Sequence, residues 1–177
     1  MEHSEIIFDN STFLYGANLN SLFTNNKALT QIDLSGIILE GNNILSNLFN
    51  GNTNIKTITG LNNLNTENAT TFKNAFNGCT SLLGLDFEGC DFSNVTDLTT
   101  FVGNNRVLTY FKAPSNIKVS LSDFTNSTLL TTEDLMTIIE NLVTVSSTQT
   151  LTLGSNNLSK LTAEQIKIAT DKNWSVV

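Results

Sequence analysis

Side chains that carry chemistry are scarce in this chain. There is a single histidine, His3, so a Ser–His–acid triad or a multi-histidine metal site has no second partner to draw on. His3 also stands close to a terminus, where chains fray. The two cysteines, Cys79 and Cys90, are too few for a disulfide scaffold and lack the paired spacing of a zinc site, so their redox state stays open. Nine Lys and Arg stand against 16 Asp and Glu, a net charge of -7. That balance removes the basic footprint that nucleic acid or an anionic membrane surface attracts. No apolar run is long enough to span a bilayer, and membrane insertion is not expected. Met1 to Phe8 has neither the basic start nor the apolar core of a secretion signal. Read as a whole gene product, such a start implies a protein that stays in a cytoplasm or leaves inside a particle released by lysis. A trimmed ectodomain would look the same.

What the chain has in quantity is short neutral polar residues: Asn, Ser and Thr make up more than a third of it. Such a surface suits hydrogen bonding to a partner. Disorder is excluded by the 40% hydrophobic content, rich in Leu, Ile and Phe, and by the single proline. At 177 residues there is enough chain for one cooperative unit, or for a short repeat array with caps.

Self-similarity decides between these. The segments Leu22-Phe23-Thr24-Asn25-Asn26, Leu48-Phe49-Asn50-Gly51-Asn52, Ala75-Phe76-Asn77-Gly78-Cys79 and Phe101-Val102-Gly103-Asn104-Asn105 recur at steps of 26, 27 and 26 residues. Three residues after each comes an apolar position (Leu29, Ile55, Leu82, Leu108), and three further on another (Ile32, Ile58, Leu85, Phe111). Leu34 and Phe87 complete an L-x-x-L-x-L pattern, which Gly60 and Ala113 break in the other copies. One step back from Ile32 and Leu34 lie Ile6 and Phe8, the end strand of a partial first repeat. The column Asn25, Gly51, Gly78, Asn104 holds only residues that tolerate positive φ and marks a chain reversal. The next column, Asn26, Asn52, Cys79, Asn105, holds side chains able to meet backbone groups inside a tight turn. Upstream of each turn, spacings such as Leu19, Leu22, Phe23 or Leu45, Leu48, Phe49 predict one or two helical turns per copy.

The pattern changes after about residue 124. Leu135, Ile138, Ile139, Leu142 and Val143 share one helical face, behind Thr132-Glu133-Asp134 at the helix's positive end. Gln149 to Leu153 reads as a strand, Thr162-Ala163-Glu164-Gln165 as a capping box ahead of Ile166, Ile168 and Ala169, and Trp174 to Val177 as a last strand. The sequence therefore divides into an array over 1–124, a partial repeat plus four copies, and a helix-strand-helix-strand cap over 125–177.

Phe76-Asn77-Gly78-Cys79-Thr80-Ser81-Leu82-Leu83-Gly84-Leu85-Asp86-Phe87, followed by Asp91-Phe92-Ser93-Asn94-Val95-Thr96-Asp97-Leu98, resembles the BspA-like leucine-rich repeat of bacterial surface proteins. Leu151 to Thr162 and Lys172-Asn173-Trp174 resemble the C-terminal cap carried by such repeats in phage virion proteins and in surface proteins of gut bacteria. The resemblance implies an α/β repeat fold, a short leucine-rich-repeat solenoid with parallel strands on one face. It also implies an adhesive or structural role, with no catalytic residues and no cofactor. Gly60, Val102 and Ala113 mark the array as a degenerate one.

Candidate sites follow from strand alternation. Tyr110 precedes the inward Phe111, so it points to the solvent face, together with Lys112 and the repeat-equivalent Gln31, Asp33, Thr57, Thr59, Gly84 and Asp86. That face is the expected contact surface for a protein or a surface glycan. Of the other aromatic candidates, Tyr15 is left open and Trp174 is expected to pack the cap. The acidic set Asp86, Glu88, Asp91 and Asp97 lacks the ligand spacing of an EF-hand and reads as solvated loop carboxylates. Sequons at Asn10, Asn68, Asn94, Asn126 and Asn157 are what so much Asn, Ser and Thr produces by chance. Two destinations remain: a phage virion, as a tail, fibre or head-decoration protein contacting other virion subunits or a host and trimeric by analogy with attachment proteins, or a bacterial cell surface, as an adhesin. A homo-oligomer fits either.

Overall fold

A computed structural model describes residues 4–7, 12–15, 18–40 and 43–177; His3, Phe8 and Asn10 lie outside the described residues, as does the side chain of Tyr15. The fold is mixed α/β, with short parallel strands in small sheets and few helices. Strands β1 (Glu5–Ile7), β3 (Gln31–Asp33) and β6 (Thr57–Thr59) form one parallel sheet, between whose first two strands lies β2 (Thr12–Tyr15) in sequence. β2 pairs with β4 (Ile37–Glu40), β5 (Asn43–Ile44) with β7 (Ala69–Thr71), and β8 (Gly84–Asp86) with β9 (Tyr110–Lys112). Each pairing joins equivalent positions of successive copies: Ile6 with Ile32, Ile32 with Ile58, and Leu85 with Phe111.

Hydrogen bonds carry this register past the strand ends. At the position preceding the strands, Thr30 N–H donates to Ser4, Lys56 to Thr30, Leu83 to Lys56 and Thr109 to Leu83. One column of carbonyls therefore links β1, β3, β6, β8 and β9. The same stacking runs through the reversals, where Phe23 donates to Leu48, Phe49 to Ala75 and Phe76 to Phe101.

The reversals are not helical, contrary to the spacing of their apolar residues. Ser21, Asn47, Asn74 and Thr100 all have positive φ, between 53° and 64°, four residues ahead of the predicted column. A positive φ breaks a right-handed helix after a single turn. The apolar spacing is met instead by consecutive turns, such as Leu22 N–H to Leu19 and Thr24 N–H to Ser21, with the alternate amides bonded to the next copy. The expected column is left-handed throughout: Asn25 57°, Gly51 74°, Gly78 73°, Asn104 63°.

Behind the turn column the polar column, half-buried at Asn26 and buried at Asn52, Cys79 and Asn105, bonds backbone groups. Asn26 Oδ1 accepts from the amides of Ala28 and Leu29, Cys79 Sγ donates to Phe49 O at 3.1 Å, and Asn105 Nδ2 donates to Phe76 O at 3.0 Å. Burial pushes the Cys79 thiol up to about 12 and the Cys90 thiol up to about 11. Inward positions pack a continuous core. Phe23, Phe49 and Phe76 stack at 5.1 and 5.6 Å, and Phe72, Phe76, Phe87, Phe92 and Phe111 surround Phe101.

After residue 124 the chain forms α1 (Thr132–Asn141), β10 (Gln149–Leu151), a short α2 (Ser155–Leu158) that sequence reading missed, α3 (Ala163–Thr170) and β11 (Trp174–Val176), with β10 and β11 parallel. Both long helices start in a capping box, Thr131 with Asp134 and Thr162 with Gln165. Leu135, Ile138 and Ile139 are buried as the periodicity requires. Leu142 and Val143, expected on the same helix, lie past its end, where Leu142 bridges Ile117 and Val143 N–H donates to Ile117 O. Lys172 closes the last turn of α1 by donating to Ile139 O and Glu140 O. Trp174 is buried and its Nε1 donates to Val143 O at 2.8 Å.

Phe101→Ala should cost about 3–5 kcal/mol in urea unfolding, against a few tenths for Leu129→Ala, whose side chain is 53% exposed. Equal losses would mean that the aromatic core is not what holds the layers. A thiol reagent at mildly alkaline pH should modify Cys79 and Cys90 no faster than the chain unfolds; rapid labelling of the folded chain would contradict their burial.

Candidate binding face

Strand alternation sends one set of side chains inward and the other to solvent. Ile32, Ile58, Leu85 and Phe111 are buried, and Gln31, Thr57, Thr59, Tyr110 and Lys112 are exposed, with Asp33 and Asp86 half-buried between them. The structure thus brings all the candidate face residues onto one surface.

Two of them are fixed by their neighbours. Asp33 accepts from Ser35 Oγ at 2.6 Å, Ser35 N at 2.9 Å and Thr59 Oγ1 at 3.0 Å. The Ser35 hydroxyl first, then the Ser35 amide and the Thr59 hydroxyl, hold its carboxyl below the usual range. Tyr110 is 41% exposed and lies flat against the next strand: a Cβ at Gly84 would stand 2.0 Å from Tyr110 Cε1. Only glycine at that position leaves room for the ring. Lys112 Nζ sits 2.8 Å from Glu88 Oε2 and 3.5 Å from Asp86 Oδ2. The hydrogen bond to Glu88 and the nearby charge of Asp86 raise its pKa, so it stays protonated.

The face ends at a wall. Helix α1 packs beside β9, where Phe111 N–H donates to Asp134 Oδ1 at 3.1 Å and Thr137 Oγ1 donates to Phe111 O at 3.2 Å. Between α1 and β9 opens a cleft of about 390 Å³, lined by Glu88, Tyr110, Lys112, Glu133, Thr137 and Asn141 among others. Sequence reading did not assign Glu88, Glu133, Thr137 and Asn141 to this face. A signal exists for Thr137 alone: one more 26-residue step from Phe111 lands on it, inside the helix rather than on a strand.

The acidic residues weighed as loop carboxylates serve the turns. Asp86 accepts from Glu88 N, Asp91 from Ser93 N and Asp97 from Thr99 N, each two residues on, as short polar side chains do in Asx turns. Burial pushes Asp91 up, but bonds from Asn116 and Ser93 outweigh it and its carboxyl lies below the usual range. No group of three or more potential metal ligands occurs among the described residues, and no helix there is long and apolar enough to cross a membrane. Of the sequons, Asn157 is buried with its Nδ2 donating to Phe124, Ser127 and Leu153 carbonyls, whereas Asn94 and Asn126 are exposed.

Because the folded pKa of Asp33 is depressed, the stability it contributes is present above its unfolded pKa of about 3.9 and is lost as pH falls through the folded value. Thr59→Val removes one donor and should move the Asp33 titration upward in a carboxyl-detected NMR experiment; an unmoved titration would show that the cross-strand bond contributes nothing. Comparison with known protein families, curated proteins and solved structures finds no match for this chain.

Proposed function

We propose that the chain is a non-enzymatic binding and assembly module: a short leucine-rich-repeat solenoid over 1–124, closed by a C-terminal cap over 125–177, that presents its strand face to a partner. Its setting on this reading is a phage virion, as a tail, fibre or head-decoration protein that joins other virion subunits or attaches to a host surface. The observation that carries the reading is the strand face itself. Five strand positions in one register give a rigid surface whose exposed groups, Gln31, Thr57, Thr59, Tyr110 and Lys112, are hydrogen-bonding or aromatic, with the exposed Ile7 beside Asp33 as an apolar exception. Rigid, pre-positioned groups lose little entropy on binding, and tyrosine is among the residue types that most often anchor such contacts. The BspA-like repeat around Phe76 to Leu98 supports the virion or surface setting.

Binding of the fluorescently labelled chain to a panel of bacterial strains and to mammalian epithelial cells tests this. Saturable binding to a bacterial strain, reduced about tenfold by Tyr110→Ala combined with Lys112→Ala, is the expected result. Binding to epithelial cells alone would move the assignment to an adhesin of a bacterial surface. Binding that ignores both substitutions would remove the strand face from the mechanism.

A further inference from the structure

We infer that the open strand face docks a cationic, extended segment of a partner protein, whose lysine or arginine side chain enters the cleft between β9 and α1; the inference rests on the reading of that face as the binding surface. Charge is the first observation. Glu5, Asp33, Asp86, Glu88 and Glu133 line the face and its terminal cleft, against the one ammonium of Lys112 among the described residues there. Lys112 cancels one of these charges through its contacts with Glu88 and Asp86, which leaves the face and its cleft net acidic. An anionic ligand is therefore repelled and a cation attracted.

Hydrogen-bonding capacity is the second observation. Asp134 is consumed by the helix cap and by Phe111 N–H. Asn141 Nδ2 spends one of its two hydrogens on Thr137 O and keeps the other beside Oδ1, and the Thr137 hydroxyl hydrogen is directed at backbone carbonyls. Lys112 donates to Glu88. The lining keeps the Tyr110 hydroxyl and the remaining Lys112 and Asn141 hydrogens as donors, and its strongest acceptors are the carboxylates of Glu88 and Glu133. Ammonium and guanidinium groups only donate, which suits those carboxylates. Tyr110 is the third observation. Its ring is held in place over Gly84 and exposed at the cleft, where a cation can lie against its face. A cleft of about 390 Å³ admits one long side chain with the chain that bears it running along the exposed strands.

The test is an amide NMR titration of the whole chain with three probes: acetyl-Gly-Arg-Gly-amide, its glutamate counterpart and chitotriose. The arginine peptide should shift the amides of Tyr110, Lys112 and Glu133, with affinity about tenfold weaker in Glu133→Gln and in Tyr110→Leu, and weaker again at high salt. Stronger binding of chitotriose or of the glutamate peptide at those amides would overturn the cationic assignment while leaving the face as a binding surface. Arginine binding that is indifferent to both substitutions would overturn the placement in the cleft. No shift with any probe would overturn the inference, and the cell-binding experiment would then decide on the face separately.

Discussion

The interaction on which the rest depends is the backbone hydrogen bond between equivalent positions of successive copies. A strand of three residues is too short to be stable by itself. Here each short strand is one part of a longer line of contacts, because the amides before and after it and those in the reversal all bond to the neighbouring copy. Such a ladder tolerates little variation in repeat length, since a one-residue slip would turn every inward side chain outward. The single step of 27 residues tests that constraint. It is absorbed locally, where the β5–β7 pairing goes from Asn43 with Ala69 to Ile44 with Thr71, and the register is restored by the time Leu45 N–H meets Thr71 O.

Holding equivalent positions in contact makes each column of the repeat a physical stack, and residue choice follows from what the column can accommodate. In the turn column a Cβ on Gly51 would stand 2.2 Å from Asn25 Oδ1. Glycine there answers two demands at once, the left-handed backbone and the space taken by the asparagine of the preceding copy. Asparagines also bond to asparagines one copy away, Asn47 to Asn20, Asn74 to Asn47 and Asn77 to Asn50. The abundance of Asn, which read as surface polarity in the composition, is in part an internal ladder. Aromatic rings stack for the same reason, until Val102 replaces the ring at that position and Phe101, Phe87 and Phe111 fill the volume from other columns.

The features legible in the sequence are those in which one column carries one physical demand. Positive φ at Asn25, Gly51, Gly78 and Asn104 was readable because only Gly and Asn occur there. The second left-handed column, Ser21, Asn47, Asn74 and Thr100, was not, because Ser and Thr do not advertise that conformation; its φ values are imposed by hydrogen bonds to the next copy. The same long-range bonds explain why apolar residues at helical spacing do not form helices. Periodicity reports which side chains go inward, and a run of turns can bury i and i+3 as well as a helix can. Strand-face residues were legible from alternation alone. Glu133 and Asn141 were not, since their place beside Tyr110 depends on how α1 meets β9, a contact no local pattern encodes, and Glu88, which reaches the face through Lys112, read only as a loop carboxylate.

That contact links the end of the array to the chemistry of the face. An exposed edge strand invites further pairing unless something occupies its peptide groups. On the α1 side of β9, the amide and carbonyl of Phe111 are taken by side chains of a helix, Asp134 and Thr137, in place of another strand's backbone. Asp134 serves both structures, because the same carboxylate that receives Phe111 N–H also receives Thr131 N–H in the helix cap. A helix is wider than a strand, so placing one in the next position of the ladder raises a wall beside Tyr110 and Lys112 and leaves a cleft where another strand would have continued the flat face. The device that stops the sheet from growing is therefore also what gives its exposed surface a concave end.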